Sequence, residues 1–421
     1  MIVNAFEDHE HWNAVKEVCS RLGGAGYQAL LAGGSVRDLL MNRAPNDFDI
    51  ATDATPDQVE SLFPRSIAVG KAFGVIVLPF TGPNSGFQIE VATFREDLEY
   101  KDGRRPDGVK FSDAREDAKR RDFTVNALFF DPLKKQVIDY VEGRKDIDAK
   151  ILRTVGNPNH RFDEDKLRLL RAVRFAAQLD FSIEPNTLQA IIDRADDVGA
   201  VSKERIRDEV LKLLKTPSRV TGLSLLLSTG LLSSSVPESA PFILKHETSW
   251  ITQFEVLSGA KLSDAVLLSL FFLPVFQETG EADFRDRHLK SLRLDNSLSN
   301  EIVFLLKHLK AALAPSKVRR GEMAKTLLDV KGKHLIELAD WVEKSAPEGL
   351  EIESDRGHWL NEVMTTAQKQ PNAFLNGSDV KAHGIDAGPK MGEVLNEAHL
   401  LQLEGNLKTR EEALAWLKGR S

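Results

Sequence analysis

Two aspartates separated by one residue, Asp47 and Asp49, follow a pair of glycines, Gly33 and Gly34, and Ser35. In an extended strand, residues two apart project from the same face, so these carboxylates converge while Phe48 and Ile50 pack behind them. Adjacent carboxylates make a hard, all-oxygen site of the kind magnesium takes. Glycines closing a strand let the backbone approach a ligand, and the helix-like segment that follows, which carries Arg37, turns free amides towards an anion; a triphosphate suits that place. Two-metal phosphoryl transfer calls for a third acid, and Glu90 is the candidate, on a strand-like run with Ile89 and Val91 directed to the opposite face. An Asp-x-Asp pair alone is also a common feature of turns; the glycine pair at this spacing gives the metal-binding reading its weight.

A second group, Arg120 to Leu128 (RRDFTVNAL), sets Arg121, Asp122 and Asn126 before an apolar run. Arginine suits phosphate, and Asp122 and Asn126 suit ribose hydroxyls; the plain alternative is a surface ion pair beside a strand. Farther on, Glu164-Asp165-Lys166-Leu167-Arg168 reads as the opening of the first long helix, with Asp165 and Arg168 on one face. Adenine and cytosine both present a donating amine next to an accepting ring nitrogen. Asp165 can accept from the amine while Arg168 donates to the ring nitrogen, whereas guanine and uracil reverse that order and leave buried groups unpaired. The plain alternative is a solvated helix salt bridge. Arg171 and Arg174 continue the cationic side, to reach a triphosphate or to pair with nearby acids.

These residues need elements to hold them. From Tyr27 to about Asp139, short β-like runs (YQALLAGG, DFDIA, GVIVLPF, FQIEVATF, VNALFF, QVIDYV) alternate with helical pieces and Gly/Pro turns. After Gly156-Asn157-Pro158 the pattern becomes helical almost to the end. The expectation is an α+β chain, a mixed sheet with helices followed by all-α parts, divided as 1–150, 151–215, 216–375 and 376–421. Thr216-Pro217, Ala314-Pro315 and Asn376-Gly377-Ser378 mark turns within the helical part.

At 421 residues, 42% apolar and 28% charged, the chain reads as a folded protein of two to four units. A lone cysteine, Cys19, excludes an internal disulfide and a cysteine-based zinc site. The opening MIVNAFEDHEHW lacks the pattern of an export signal, which points to the cytoplasm. The most apolar stretch, Ala265 to Phe276, is broken by Pro274 and too short to span a membrane, so it reads as a buried helix. A net charge of −7 argues against sequence-blind binding of nucleic acid while leaving room for a local basic groove.

The glycine–aspartate pattern resembles the nucleotidyltransferase superfamily with a polymerase-β-like head. LAGGSVRDLLMNRAPNDFDIATDATPDQV is similar, more narrowly, to the class II, bacterial-type CCA-adding tRNA nucleotidyltransferases and the bacterial poly(A) polymerases. The resemblance implies a polymerase-β-like head followed by an all-α neck, body and tRNA-binding tail. It implies that Asp47 and Asp49 hold magnesium (Mg2+) while an RNA 3′-hydroxyl attacks the α-phosphate and expels pyrophosphate. RRDFTVNAL resembles the family's ribose motif, and NPNHRFDEDKLRLLRAVRFAAQL its neck helix, where Asp165 and Arg168 would select ATP and CTP. Glu204 to Leu214 resembles a motif treated as scaffold for that neck. The charged segment from Phe94 to Arg120 is similar to the flexible loop of full CCA-adding enzymes, and Leu375 to Leu417 to their tRNA-binding end. A charge-balanced last helix speaks against a poly(A) polymerase; Phe73-Gly74-Val75-Ile76 departs from the many CCA enzymes with threonine after that glycine.

The expected activity is template-independent addition of C, C and A to tRNA, with tRNA, ATP and CTP as partners and no stable protein partner implied. The alternatives are A-only addition, poly(A) synthesis, a small-molecule nucleotidyltransferase, and, from another class, a non-enzymatic RNA-binding protein on a decayed head. Lys317 to Arg320 and Lys325 form a basic cluster that suits tRNA phosphate or an ordinary solvated face.

Overall fold

The computed structural model describes residues 9–45, 47–80, 86–97, 108–257, 259–347, 349–369 and 372–420. The chain divides into two compact units, Met1–Ser235 and Val236–Ser421.

The first unit is built on a mixed sheet. Its strands are β1 (Ala29–Ala32), β2 (Asp49–Thr52), β3 (Ile67–Gly70), β4 (Val75–Pro79), β5 (Gln88–Thr93), β8 (Leu128–Asp131) and β9 (Gln136–Asp139), in the order β3-β4-β5-β2-β1-β8-β9. β2 and β5 run parallel and the other neighbours antiparallel. All six runs expected from the alternation are strands. β3 and a separate hairpin of β6 (Arg95–Asp97) and β7 (Val109–Phe111) had no comparable signal, being short and largely exposed. The loop expected within Phe94 to Arg120 lies, at 98–107, outside the described residues.

Register is what matters for function. Ala32 pairs with Asp49, and Asp49 with Glu90, so the glycines that follow β1 and both acids meet at one end of three adjacent strands. Beneath them Leu30, Ala32, Ala51, Phe94, Ala127 and Phe129 form an apolar core. Helix α1 (Trp12–Gly24) buries Val15, Val18, Cys19 and Leu22 at helical spacing. Burial, with Asp131 nearby, pushes the Cys19 thiol up to about 12, which makes it inert.

α2 (Gly34–Leu40), α3 (Pro56–Leu62), α4 (Ala114–Lys119) and α5 (Gly143–Asp148) complete the sheet domain. The Asp113 carboxylate caps α4 by accepting from the amides of Arg115 and Glu116. Then come α6 (Pro158–Glu164), α7 (Arg168–Leu179), α8 (Pro185–Asp193), α9 (Lys203–Leu214), α10 (Arg219–Ser228) and α11 (Leu231–Ser235). Asn157 and Pro158 are the N-cap and first residue of α6. The helical stretch also holds a short parallel strand pair, Ile151–Leu152 with Ser182–Ile183.

One expectation is corrected here: Asp165 and Arg168 do not open a common helix. α6 ends at Glu164, Asp165 is extended (φ −147°, ψ 106°), and α7 begins at Arg168. The Asp165 carboxylate accepts from the Leu167 amide at 3.1 Å. Local capping of this kind competes with the helical ladder and breaks it.

The second unit is helical throughout its described residues. Its long helical run, Asp264–Asp283, is kinked at Gly280 (φ 75°, ψ 175°) and is followed by a π-helical turn, Phe284–Leu289. Contrary to expectation, Pro274 does not interrupt it, and Asp264–Leu289 is long and apolar enough, by length and composition, to cross a membrane. Its apolar residues Ala265 to Val275 are nevertheless buried, as expected for a core helix. Pro274 has no N–H to offer the Leu270 carbonyl four residues back; the Gln253 side-chain amide donates to that carbonyl instead, at 3.0 Å. The basic cluster is matched by acids or amides of the same unit. Lys317 pairs with Glu351, Arg319 with Glu397 and Glu404, and Arg320 with Glu362, while Lys325 donates to Asn396.

Candidate functional site

The end of the sheet where Gly33 meets Asp49 opens into a cleft of about 640 Å³. Gly33, Gly34, Arg37, Asp47, Asp49, Arg121, Asp122, Asn126, Asp165, Arg168, Arg171 and Arg174 line it, so nearly every residue singled out by chemistry converges there. Glu90 and Ser35 are the two that do not line it. Glu90 is the strand neighbour of Asp49. Ser35 is buried, and its hydroxyl donates to the Ala32 carbonyl at 3.3 Å, which shapes the turn.

At the acidic end, Asp47 and Asp49 reach solvent while Phe48 and Ile50 are buried, the alternation expected of a strand. Desolvation, then the negative charges of Asp47 and Glu90, push the Asp49 carboxyl up to about 6 against the pull of Arg121. Among the described residues, no group of three or more His, Cys, Asp or Glu side chains is placed to hold a metal by itself. Gly33 adopts φ +74°, a left-handed conformation suited to glycine, and a Cβ there would lie 3.0 Å from Nη1 of Arg121. The turn thus brings backbone against guanidinium.

Asp122 sits at the floor. Its Oδ1 accepts from the Phe123 amide at 2.8 Å and from Nδ2 of Asn126 at 3.3 Å; its Oδ2 accepts from Nε of Arg171 at 3.0 Å and from Nη2 of the same side chain. Burial alone would raise this carboxyl, but Arg171 overcomes it and holds Asp122 at about 2. The Asn126 side-chain oxygen accepts from Nη1 of Arg37, whose Nε donates to Asp38 at 2.8 Å. A continuous polar chain therefore joins α2, the Thr124–Asn126 turn and α7.

The remaining cations are held by acids of α4, α6 and α9. Asp117, buried in α4, accepts from both Arg120 and Arg121, at 2.6 and 3.0 Å, which keeps its carboxyl below the usual range despite desolvation. Arg174 pairs with buried Glu209 of α9 at 2.6 Å and donates to Gln178 at 2.7 Å. Asp165 accepts from Arg205 of α9 at 2.7 Å, whereas Arg168 binds Glu164 and the carbonyls of Arg161 and Arg120. Asp165 and Arg168 are thus fixed by different partners, and the simple helix salt bridge between them does not form. Sequence reasoning missed Asp117 and Glu164 as partners; Arg205 and Glu209 lie in the Glu204–Leu214 segment whose charges were expected to serve as scaffold, without their individual partners being named. The i,i+3 and i,i+4 spacings from Asp117 to the two arginines, and from Glu164 to Arg168, carried a signal; for α9 the motif pointed to a scaffold role, but the individual pairings have no local spacing to show them.

Comparison with known proteins agrees with this arrangement. A family described as "Poly A polymerase head domain" matches residues 29–153, and one described as "Probable RNA and SrmB- binding site of polymerase A" matches residues 180–243. A CCA-adding enzyme of Bacillus licheniformis is 46% identical over 207 residues, 49% of this chain and 51% of that one. A CCA-adding enzyme of Lactobacillus johnsonii is 32% identical over 417 residues, 96% of each chain. Among solved structures, the Bacillus stearothermophilus CCA-adding enzyme in complex with CTP superposes with a TM-score of 0.77 at 29% identity, covering 97% of both chains. Likeness that runs nearly the length of both chains, on the same fold, fixes the relationship: this chain belongs to the family of the CCA-adding enzymes.

Proposed function

We propose that the protein adds C, C and A in turn to the 3′ end of tRNA, drawing on CTP and ATP and releasing pyrophosphate without a nucleic-acid template. The observation that carries the reading is the single cleft in which two carboxylates, a row of arginines and the separately anchored pair Asp165 and Arg168 face one another. Asp165 would accept from the exocyclic amine of cytosine or adenine and Arg168 would donate to the adjacent ring nitrogen; anchoring each from outside the pair leaves both edges available to a base. Asp122 and Asn126 would hold the ribose, and Gly33, Gly34, Arg37, Arg121, Arg171 and Arg174 the triphosphate.

The acidic end suits a divalent cation. Burial first, and then the like charge of Asp47 and Glu90, push the Asp49 carboxyl up to about 6, and two carboxylates with substrate phosphates are the usual surroundings of magnesium. Asp47 and Asp49 would hold it, with Glu90 behind them as a third acid, and the ion when bound supplies polarisation of the α-phosphate. In this reading residues 1–150 act as head, 151–215 as neck, 216–375 as body and 376–421 as tRNA-binding tail, in a cytoplasmic enzyme.

The test is incorporation of each labelled nucleotide into tRNA transcripts ending before the tail, after one C and after two, with magnesium. C, C and A followed by arrest is the expected result. Addition of A alone to the CC-ended transcript would indicate an A-adding specialist and long A tails a poly(A) polymerase. No transfer to any transcript would overturn the reading.

A further inference from the structure

Phe175, on α7, is the large apolar side chain in the lining of the cleft, and only 8% of it is exposed. Three guanidinium groups gather about its ring: that of Arg174 at 3.7 Å from the centroid, that of Arg171 at 5.1 Å and that of Arg37 at 5.6 Å. Phe123 packs edge-on against it with centroids 5.7 Å apart and fixes its orientation. The three arginines come from different contexts. Arg37 is buried on α2, while Arg171 and Arg174 lie one turn apart on α7, tied to Asp122 and Glu209. Like charges so close repel; Asp122 holds Arg171 along one edge and Glu209 takes Nε of Arg174, while Arg37 is held by Asp38 and Asn126. An aromatic face attracts a cation electrostatically without consuming its N–H donors, which remain directed by the ion pairs and open to a further anion.

We propose that Phe175 is a positioning residue for the triphosphate: its ring is the shared platform that keeps Arg37, Arg171 and Arg174 spread around the cleft in a geometry that grips phosphate. The inference rests on the functional reading above but concerns phosphate affinity rather than base choice. Loss of the ring face therefore weakens CTP and ATP equally and leaves the chemical step almost unchanged.

The test compares Phe175→Leu, which removes the face, with Phe175→Tyr, which keeps it; Phe175→Met replaces leucine should that variant fail to give a native melting profile. Two readouts are needed, calorimetric binding of inorganic tripolyphosphate to the full chain and steady-state incorporation of C and A into tRNA. The expected result is a loss of tripolyphosphate affinity and a rise in KM for both nucleotides of about tenfold in Phe175→Leu, with kcat within about threefold and Phe175→Tyr close to the parent. Unaltered tripolyphosphate binding in the variant without a ring overturns the proposal, as does an equal loss in Phe175→Tyr or a loss confined to one nucleotide. A parent protein that binds tripolyphosphate but transfers no nucleotide to RNA would sink the functional reading alone, because the binding arm still decides the role of Phe175.

Discussion

Replacing Arg171 with methionine removes the cation that compensates a buried carboxylate while retaining an unbranched stem over Phe175. Asp122 is displaced from 3.8 to about 2 in the folded protein, which at ~1.4 kcal/mol per pKa unit is about 2 kcal/mol of stabilisation. The sign follows from the depressed value. This stabilisation is complete above the unfolded carboxyl range near pH 4 and disappears as pH falls through the folded value near 2. In Arg171→Met the carboxylate stays buried without its partner, so burial raises it above 3.8 and the group opposes folding at neutral pH. Arg171 keeps about a third of its side chain in solvent (32%), so the cost falls at the lower end of the ~3–5 kcal/mol typical of breaking a buried pair. Amide hydrogen exchange along Arg168–Leu179 reads this locally, whatever the second unit does. The expected loss of protection at pH 7 is about 100-fold, narrowing towards pH 4 as Asp122 takes up a proton, and largely reversed by adding Asp122→Asn. A loss below about threefold, or a gap that does not change between pH 7 and pH 4, would refute the assignment of Arg171 as the counter-ion of Asp122.

Three further outcomes follow from the same geometry. Asp49→Asn is expected to abolish nucleotide transfer yet raise the melting temperature at pH 7, because a carboxyl pushed up to about 6 opposes folding once ionised; the difference from the parent vanishes below pH 4, where both are neutral, and a variant less stable than the parent at pH 7 would contradict this. Arg205→Met frees Asp165 from its anchor, so discrimination of CTP against UTP, measured as the ratio of kcat/KM values, should fall by about tenfold; an unchanged ratio would show that Asp165 needs no support from α9. In the second unit, Gln253→Leu leaves the Leu270 carbonyl without a donor and should cost about 1–3 kcal/mol in urea unfolding. Against a Pro274→Ala background, where a backbone N–H is restored, the same change should cost distinctly less, and an identical penalty would disprove the substitution of amide for backbone.

The parts legible in the sequence were those governed by local periodicity. The alternation in FQIEVATF placed Ile89 and Val91 inside and Glu90 outside, and the pattern around Asp47-Phe48-Asp49-Ile50 did the same for the acids. The turn between Asn157 and Pro158 was readable because an N-cap asparagine before proline has one strong use. Strands β3, β6 and β7 escaped because short, exposed strands bury too little on either face to leave a period of two. The break at Asp165 escaped for the opposite reason: its surroundings are rich in helix formers, and a single side-chain contact to the Leu167 amide overrides their propensity.

That break also explains how the cleft keeps its polar groups usable. Among the described residues six arginines and five aspartates line it, in a chain whose net charge is −7. Had Asp165 and Arg168 lain on one continuous helix three residues apart, each would have been the other's nearest opposite charge, and a nucleotide base would have had to break that pair to be read. The extended residue at 165 separates them, and Arg205 and Glu164 take up their charges from behind. Arg174 follows the same logic with Glu209, which lies outside the lining, whereas Asp122 and Arg171 both line the cleft and pair with each other. Charge is balanced within the walls around the arginines, whereas the acidic end keeps Asp49 beside Asp47 and Glu90 with its carboxyl pushed up by burial and like charge. In the proposed reading, the donors and acceptors left over are the ones a triphosphate, a ribose and a base edge would meet. On that reading, selectivity without a template would come from walls that hold their shape before the nucleotide arrives, because a group already fixed in place discriminates more sharply than one that must reorganise to meet its ligand.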